Sequence, residues 1–271
     1  MDGQMLVEAI ALEDAGEALE IVRGLLGSGV DVNATDFEGT NALARAVWNE
    51  RWAIAELLID RGAERPSGSP YEDDPLFGIA VAGPLDLLDR ALDHWGGWGC
   101  MVIDRQGEPC IVENPIARLI CAGDSDRLDA LWRRGVSELI NLPSYDEGNT
   151  PLMESVRDGD LASVHLLLDK GADANSYMEI CDSYTALDRA VSNLDSEMVR
   201  LLLDAGANPN FSHGYKLPLR DVRLSPFDAG QTKEKIAKGR QIYELMLEKA
   251  TDFPPPVGQD GKPIEPWPPK R

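Results

Sequence analysis

The run Leu166-Leu167-Leu168-Asp169-Lys170-Gly171-Ala172-Asp173-Ala174-Asn175 returns 35 residues later as Leu201-Leu202-Leu203-Asp204-Ala205-Gly206-Ala207-Asn208-Pro209-Asn210. Degenerate copies stand earlier, at Leu57-Leu58-Ile59-Asp60-Arg61-Gly62-Ala63-Glu64 and Leu25-Leu26-Gly27-Ser28-Gly29-Val30-Asp31-Val32-Asn33-Ala34. Self-similarity at this period constrains the fold more than any other feature of the chain. One such unit is too short to bury its own apolar face, so units must stack into a continuous array. Arrays of this kind offer a partner a long, rigid surface.

A second marker lies about fifteen residues before each apolar run. It is clearest in Gly148-Asn149-Thr150-Pro151-Leu152-Met153 and recurs at Thr40-Asn41-Ala42-Leu43, Asp74-Pro75-Leu76-Phe77, Asn114-Pro115-Ile116-Ala117, Tyr184-Thr185-Ala186-Leu187 and Ser225-Pro226-Phe227. From Ala42 through Pro75, Pro115, Pro151 and Ala186 to Pro226 the spacings are 33, 40, 36, 35 and 40. The physics of the unit follows. Thr or Asn before Pro predicts a helix N-cap with proline at the first helical position. Asp158-Gly159 predicts the tight turn into a second helix, whose apolar stripe is Val164, Leu166, Leu167 and Leu168. Gly171 stands where a left-handed C-terminal cap requires a residue without a side chain.

These motifs resemble the ankyrin repeat family, whose pattern is Thr-Pro-Leu-His, then Ala-Ala, then Leu-Leu-x-x-Gly-Ala-Asp-x-Asn. The match is strong at 146–176 and 183–210, good at 36–64 and partial at 5–34. It is eroded at 74–92 and 114–136, where Leu131-Trp132-Arg133-Arg134-Gly135-Val136 replaces the apolar run. Ala44, Phe77, Ala117, Met153 and Asp188 occupy the place of the family's histidine, which marks a divergent member. The resemblance implies an all-α solenoid of about seven helix-turn-helix units, terminal caps included, over residues 1–250. A proline-rich tail, 251–271, follows. It also implies a non-enzymatic protein-binding module.

Composition limits the partner. The formal net charge is −21. Nucleic acid and anionic membrane surfaces need a basic footprint, so neither is expected. A basic protein, steered electrostatically, suits this charge, although an acidic balance also serves solubility. No apolar run reaches the ~18 residues of a membrane span, and the first residues lack the regions of a signal peptide. A cytoplasmic protein, monomeric when free, is the expectation.

Chemistry finds no foothold. His94, His165 and His213 fall in different units, and there is no phosphate-binding glycine loop, paired-cysteine motif or nucleophile elbow. Acidic groupings such as Asp158 with Asp160 read as solvated loops. No catalytic residue, cofactor or metal is expected. Cys100 and Cys110 flank the turn 104–108 of a predicted β-hairpin. They are open to a disulfide or, as the ordinary alternative, to a role as small apolar groups.

The resemblance carries partner contacts to the hairpin tips and to the ends of the first helices. In this chain those positions are Phe37, Glu38, Thr40, Trp48 and Asn49; Tyr71, Glu72 and Asp73; Asp146, Glu147, Asn149, Arg157 and Asp158; and Asp182, Tyr184, Ser192 and Asn193. An insertion over 93–113 adds Trp95 and Trp98, which are either a plug over a weak interface or an exposed contact. The function expected is a stoichiometric inhibitor or immunity-type protein that blocks a basic protein such as a toxin. The alternatives are a scaffold or regulatory subunit recruiting an enzyme, and a small-molecule sensor or enzyme using the insertion.

Overall fold

A computed structural model describes residues 2–65, 74–98, 102–103, 109–110, 114–144, 148–177, 184–209 and 233–249. The chain divides into two compact units, Met1–Glu147 and Gly148–Arg271.

The first unit stacks four helix pairs: α1 (Asp2–Ile10) with α2 (Ala15–Gly27), α3 (Ala42–Trp48) with α4 (Trp52–Asp60), α5 (Pro75–Ala82) with α6 (Leu85–Trp95), and α7 (Pro115–Ala122) with α8 (Ser125–Trp132). First helices pack in the order α1, α3, α5, α7; second helices pack in the order α2, α4, α6. A short 3-10 turn, Val136–Leu139, closes the fourth pair. The second unit pairs α9 (Pro151–Asp158) with α10 (Leu161–Asp169) and α11 (Ala186–Ser192) with α12 (Ser196–Asp204). There α9 packs on α11 and α12 on α13 (Lys233–Lys249).

The capping logic of the sequence is realised. Thr150 accepts from the Met153 amide, Asn114 from Ile116 and Asp74 from Leu76, each with proline opening the helix. Gly171 has φ +94°, a conformation open to glycine at little cost. Successive repeats are tied by the asparagine that ends the motif. Asn33 Oδ1 accepts from the Glu64 amide at 2.8 Å, and Asn175 Oδ1 accepts from the Asn208 amide at 2.7 Å. Core residues include Leu43, Leu58, Leu88 and Leu131 in the first unit, and Leu152, Val164, Leu167 and Leu202 in the second.

The turn between paired helices follows one rule with telling exceptions. The residue after a left-handed one donates five residues back: Arg51 to Ala46, Asp124 to Leu119, Asp160 to Ser155 and Asp195 to Ala190. The left-handed residue is Gly123 or Gly159 in two of these turns, but Glu50 (φ +53°) and Leu194 (φ +55°) in the others. A side chain in this region costs about 1–2 kcal/mol, partly offset by the entropy that glycine loses on folding. Glu50 is exposed. Glu50→Gly should therefore raise the stability of the first unit by about 0.5–1 kcal/mol in chemical denaturation. A loss would mean that Glu50 holds its turn through a contact worth more than the strain.

The insertion and the last helix add detail to the sequence reading. Helix α6 continues through Asp93, His94 and Trp95 to a left-handed cap at Gly96, so the departure from the array begins there and not at 93. In α13, Ile242, Tyr243, Leu245 and Met246 are buried, whereas Leu247 is 41% exposed. The hairpin forms between β1 (Val102–Ile103) and β2 (Pro109–Cys110), and its register sets Cys110 opposite Val102. Cys100 lies outside the described residues.

Candidate partner-binding surface

In the first unit the tip 36–39 is built by Asp36. Its carboxylate accepts from the amides of Glu38 and Thr40, both at 2.9 Å, and its own amide donates to the Thr40 carbonyl. The residues at the tip's apex point outward. Phe37 is 85% exposed and Glu38 is exposed. Arg45, one turn into α3, joins this tip to the end of its helix. Its guanidinium lies 3.4 Å from Asp36 and 5.6 Å from the centre of the Trp48 ring. Trp48 is 47% exposed, while Trp52 at the start of α4 is half-buried, as the repeat register requires. Asn49 is exposed next to Trp48. Phe37, Glu38, Trp48 and Asn49 thus belong to one local surface of this unit, with Arg45 between tip and helix end.

The second unit repeats the device with other side chains. Arg189 holds the position in α11 that Arg45 holds in α3, and its guanidinium lies 4.6 Å from the centre of the Tyr184 ring. The Tyr184 hydroxyl donates to Asn149 Oδ1 at 2.6 Å. Asn149 is 4% exposed, which corrects its assignment as a contact residue: the polar group before the cap is consumed inside the repeat stack. Arg157 and Asp158 are exposed at the end of α9, 3.1 Å apart, and Ser192 and Asn193 are exposed at the end of α11. Tyr71, Glu72, Asp73, Asp146, Glu147 and Asp182 lie outside the described residues.

The tryptophans of the insertion root do not form such a surface. Trp98 is 4% exposed, and its indole N–H donates to the Arg134 carbonyl at 2.7 Å. It is a plug, which corrects its assignment as a contact. Half-buried Trp95 donates to the Ala63 carbonyl at 3.2 Å and lies 6.0 Å from the Arg65 guanidinium. Arg65 in turn forks onto Asp74 at 2.9 and 2.5 Å and donates to the Trp98 carbonyl at 2.9 Å. Arg134 forks onto Asp89, and this hydrogen bond holds the Asp89 carboxyl below its ordinary range. The strap from Trp95 to Trp98 is therefore stapled at both ends.

Sequence reasoning missed Arg45, Arg189 and Arg65. For the first two a signal was available: the fourth residue of the first helix is arginine in three units, Arg45, Arg118 and Arg189. Arg65 stands outside the repeat pattern and gave none. Among the described residues no group of three His, Cys, Asp or Glu side chains is placed to hold a metal, and no helix is long and apolar enough to cross a membrane.

Comparison with known proteins bears on this geometry. The family model for ankyrin repeats, in three copies, matches residues 117–213. The chain carries ankyrin repeats. An ankyrin repeat-containing protein of Treponema pallidum is 28% identical over 56% of this chain, which spans 47% of that relative's length. The ankyrin repeat domain of Bcl-3, a member of the IkappaB family, superposes with a TM-score of 0.58 at 19% identity, covering 87% of this chain and 97% of that domain. A chain from the complex of a predatory endopeptidase of Bdellovibrio bacteriovorus with an immunity protein gives a TM-score of 0.52 at 20% identity, covering 74% and 97% of the two chains. These likenesses establish the ankyrin solenoid of helix-turn-helix units. Ankyrin repeats are protein-binding modules, and their family is in general non-enzymatic.

Proposed function

We propose that this ankyrin array is a non-enzymatic inhibitor of immunity type, which binds and blocks a basic protein through its hairpin tips and the ends of its first helices. The observation that carries the reading is the exposed pair Phe37 and Trp48, joined through the Asp36–Arg45 pair. Exposed aromatics, tryptophan above all, are the side chains that anchor an interface once a partner buries them. The net charge of −21 supplies long-range attraction for a basic partner, and such attraction acts chiefly on the rate of encounter. The occurrence of this fold in an endopeptidase–immunity protein complex fits the same reading.

Capture from the native host lysate tests it. The wild type should retain a basic protein at low salt and release much of it at high salt. Trp48→Ala should weaken that capture by about tenfold or more, the ordinary cost of a lost aromatic anchor. The purified partner should then lose its activity when the array is added in equal amount. A partner that is acidic, or held equally by Trp48→Ala, would overturn the placement of the surface. A partner bound with its activity intact would make the array a recruiting scaffold instead.

A further inference from the structure

We propose that a cleft between α1 and the 36–39 tip seats an arginine side chain of the basic protein partner, an assignment that rests on the function proposed above. The cleft holds about 290 Å³ and is open on one side. That lies at the lower limit for small-molecule sites, which run from about 300 Å³ upward and enclose their ligands, so it suits a side chain delivered by a larger body. Val7, which is buried, supplies its apolar floor, and Phe37 stands at its rim.

Its charge is uneven in a way that selects a cation. Asp36 and Arg45 pair with each other, and Arg45 lies beside Trp48 as well, so their charges offset each other. Glu8 and Glu38 remain, both exposed and on opposite walls. Gln4 fastens the walls together. Its Oε1 accepts from the Phe37 amide at 3.0 Å, and its Nε2 donates to Glu8 Oε1 at 2.8 Å. The backbone of the tip and the Glu8 carboxylate are thus tied to α1, and the Phe37 ring and the Glu38 carboxylate stand exposed beside them. A planar guanidinium can lie on the phenyl ring and still fork to a carboxylate, whereas an ammonium is a strongly hydrated point charge. The cleft therefore prefers arginine to lysine.

Fluorescent hexa-arginine and hexa-lysine peptides provide the probes, titrated into the full chain at low salt. Hexa-arginine should bind the more tightly. Phe37→Ala should weaken it roughly threefold to fivefold. Glu8→Gln/Glu38→Gln should weaken it roughly fivefold, while Glu17→Gln/Glu197→Gln, an equal change of charge on second helices, should leave it unaltered. Equal weakening by both double variants, or no preference between the peptides, would reduce the binding to general charge attraction and overturn the assignment. The two proposals fail separately. A lysate partner lost from Trp48→Ala but kept by Phe37→Ala and by Glu8→Gln/Glu38→Gln would remove the cleft and leave the inhibitor. Arginine-selective peptide binding without any lysate partner would remove the inhibitor and leave the cleft.

Discussion

Arg65→Met should destabilise the Met1–Glu147 unit by about 3–5 kcal/mol, the usual result of removing one member of a buried ion pair. The two side chains are 8% and 9% exposed, so the surviving Asp74 carboxylate would be left desolvated without its partner. The same substitution takes the donor from the Trp98 carbonyl and the cation from beside Trp95, loosening the strap that plugs the third and fourth helix pairs. Denaturant titration reads the loss, and hydrogen exchange at 95–98 locates it. Asp74 also caps α5, accepting from the Leu76 amide. The informative double variant is therefore Arg65→Met/Asp74→Asn, because asparagine keeps the cap and sheds the charge. It should recover a large part of the loss. If Arg65→Met alone costs under about 1 kcal/mol, the pair behaves like an exposed salt bridge and its burial does not govern the unit.

What the sequence displayed and what it concealed divide along the same physical line. Features that recur with the repeat were legible because each copy confirms the others: the caps at Thr150 and Asn114, the left-handed Gly171, the stripe of Val164 and Leu167, and the exposure of Trp48 relative to Trp52. Features that depend on one repeat meeting a different one were hidden. Nothing local to Asn149 announces that the Tyr184 hydroxyl, 35 residues away, will claim its side-chain oxygen. Trp98 was equally open to burial or display, since a tryptophan after two glycines carries no periodicity. Its fate was set by the Arg134 carbonyl, 36 residues on. The eroded third pair was legible only as erosion, and what replaces the lost pattern there comes from another unit.

That replacement leads to the second large effect. In four turns between paired helices a backbone amide donates five residues back; in the α5–α6 turn the residue at that position is Pro84, which has no amide hydrogen, and Gly83 before it is extended and itself donates to the Ile79 carbonyl. Arg127 adds side-chain donors to this turn from α8. Its Nε donates to the Ala80 carbonyl at 2.8 Å, and its Nη2 donates to those of Ile79 and Gly83 at 2.8 and 2.5 Å. Burial pulls the guanidinium below its ordinary pKa, yet an arginine stays charged across the accessible pH range. Arg127→Met should cost about 2–4 kcal/mol, because three partly buried carbonyls lose a charged donor and water replaces only some of what is lost. Arg127→Lys should recover less than half of this, since a single ammonium cannot span three acceptors as a planar fork does. The decisive variant restores what the turn lacks. Pro84→Ala returns the amide hydrogen, which reaches the Ile79 carbonyl once Gly83 turns left-handed as in the other turns, and it adds no side-chain cap. In the Arg127→Met background it should regain about 0.5–1.5 kcal/mol, while in the wild type it should gain less, because Arg127 already occupies the acceptors. Equal gains in both backgrounds would show that the two groups act independently, and that Arg127 does not stand in for the proline's missing donor.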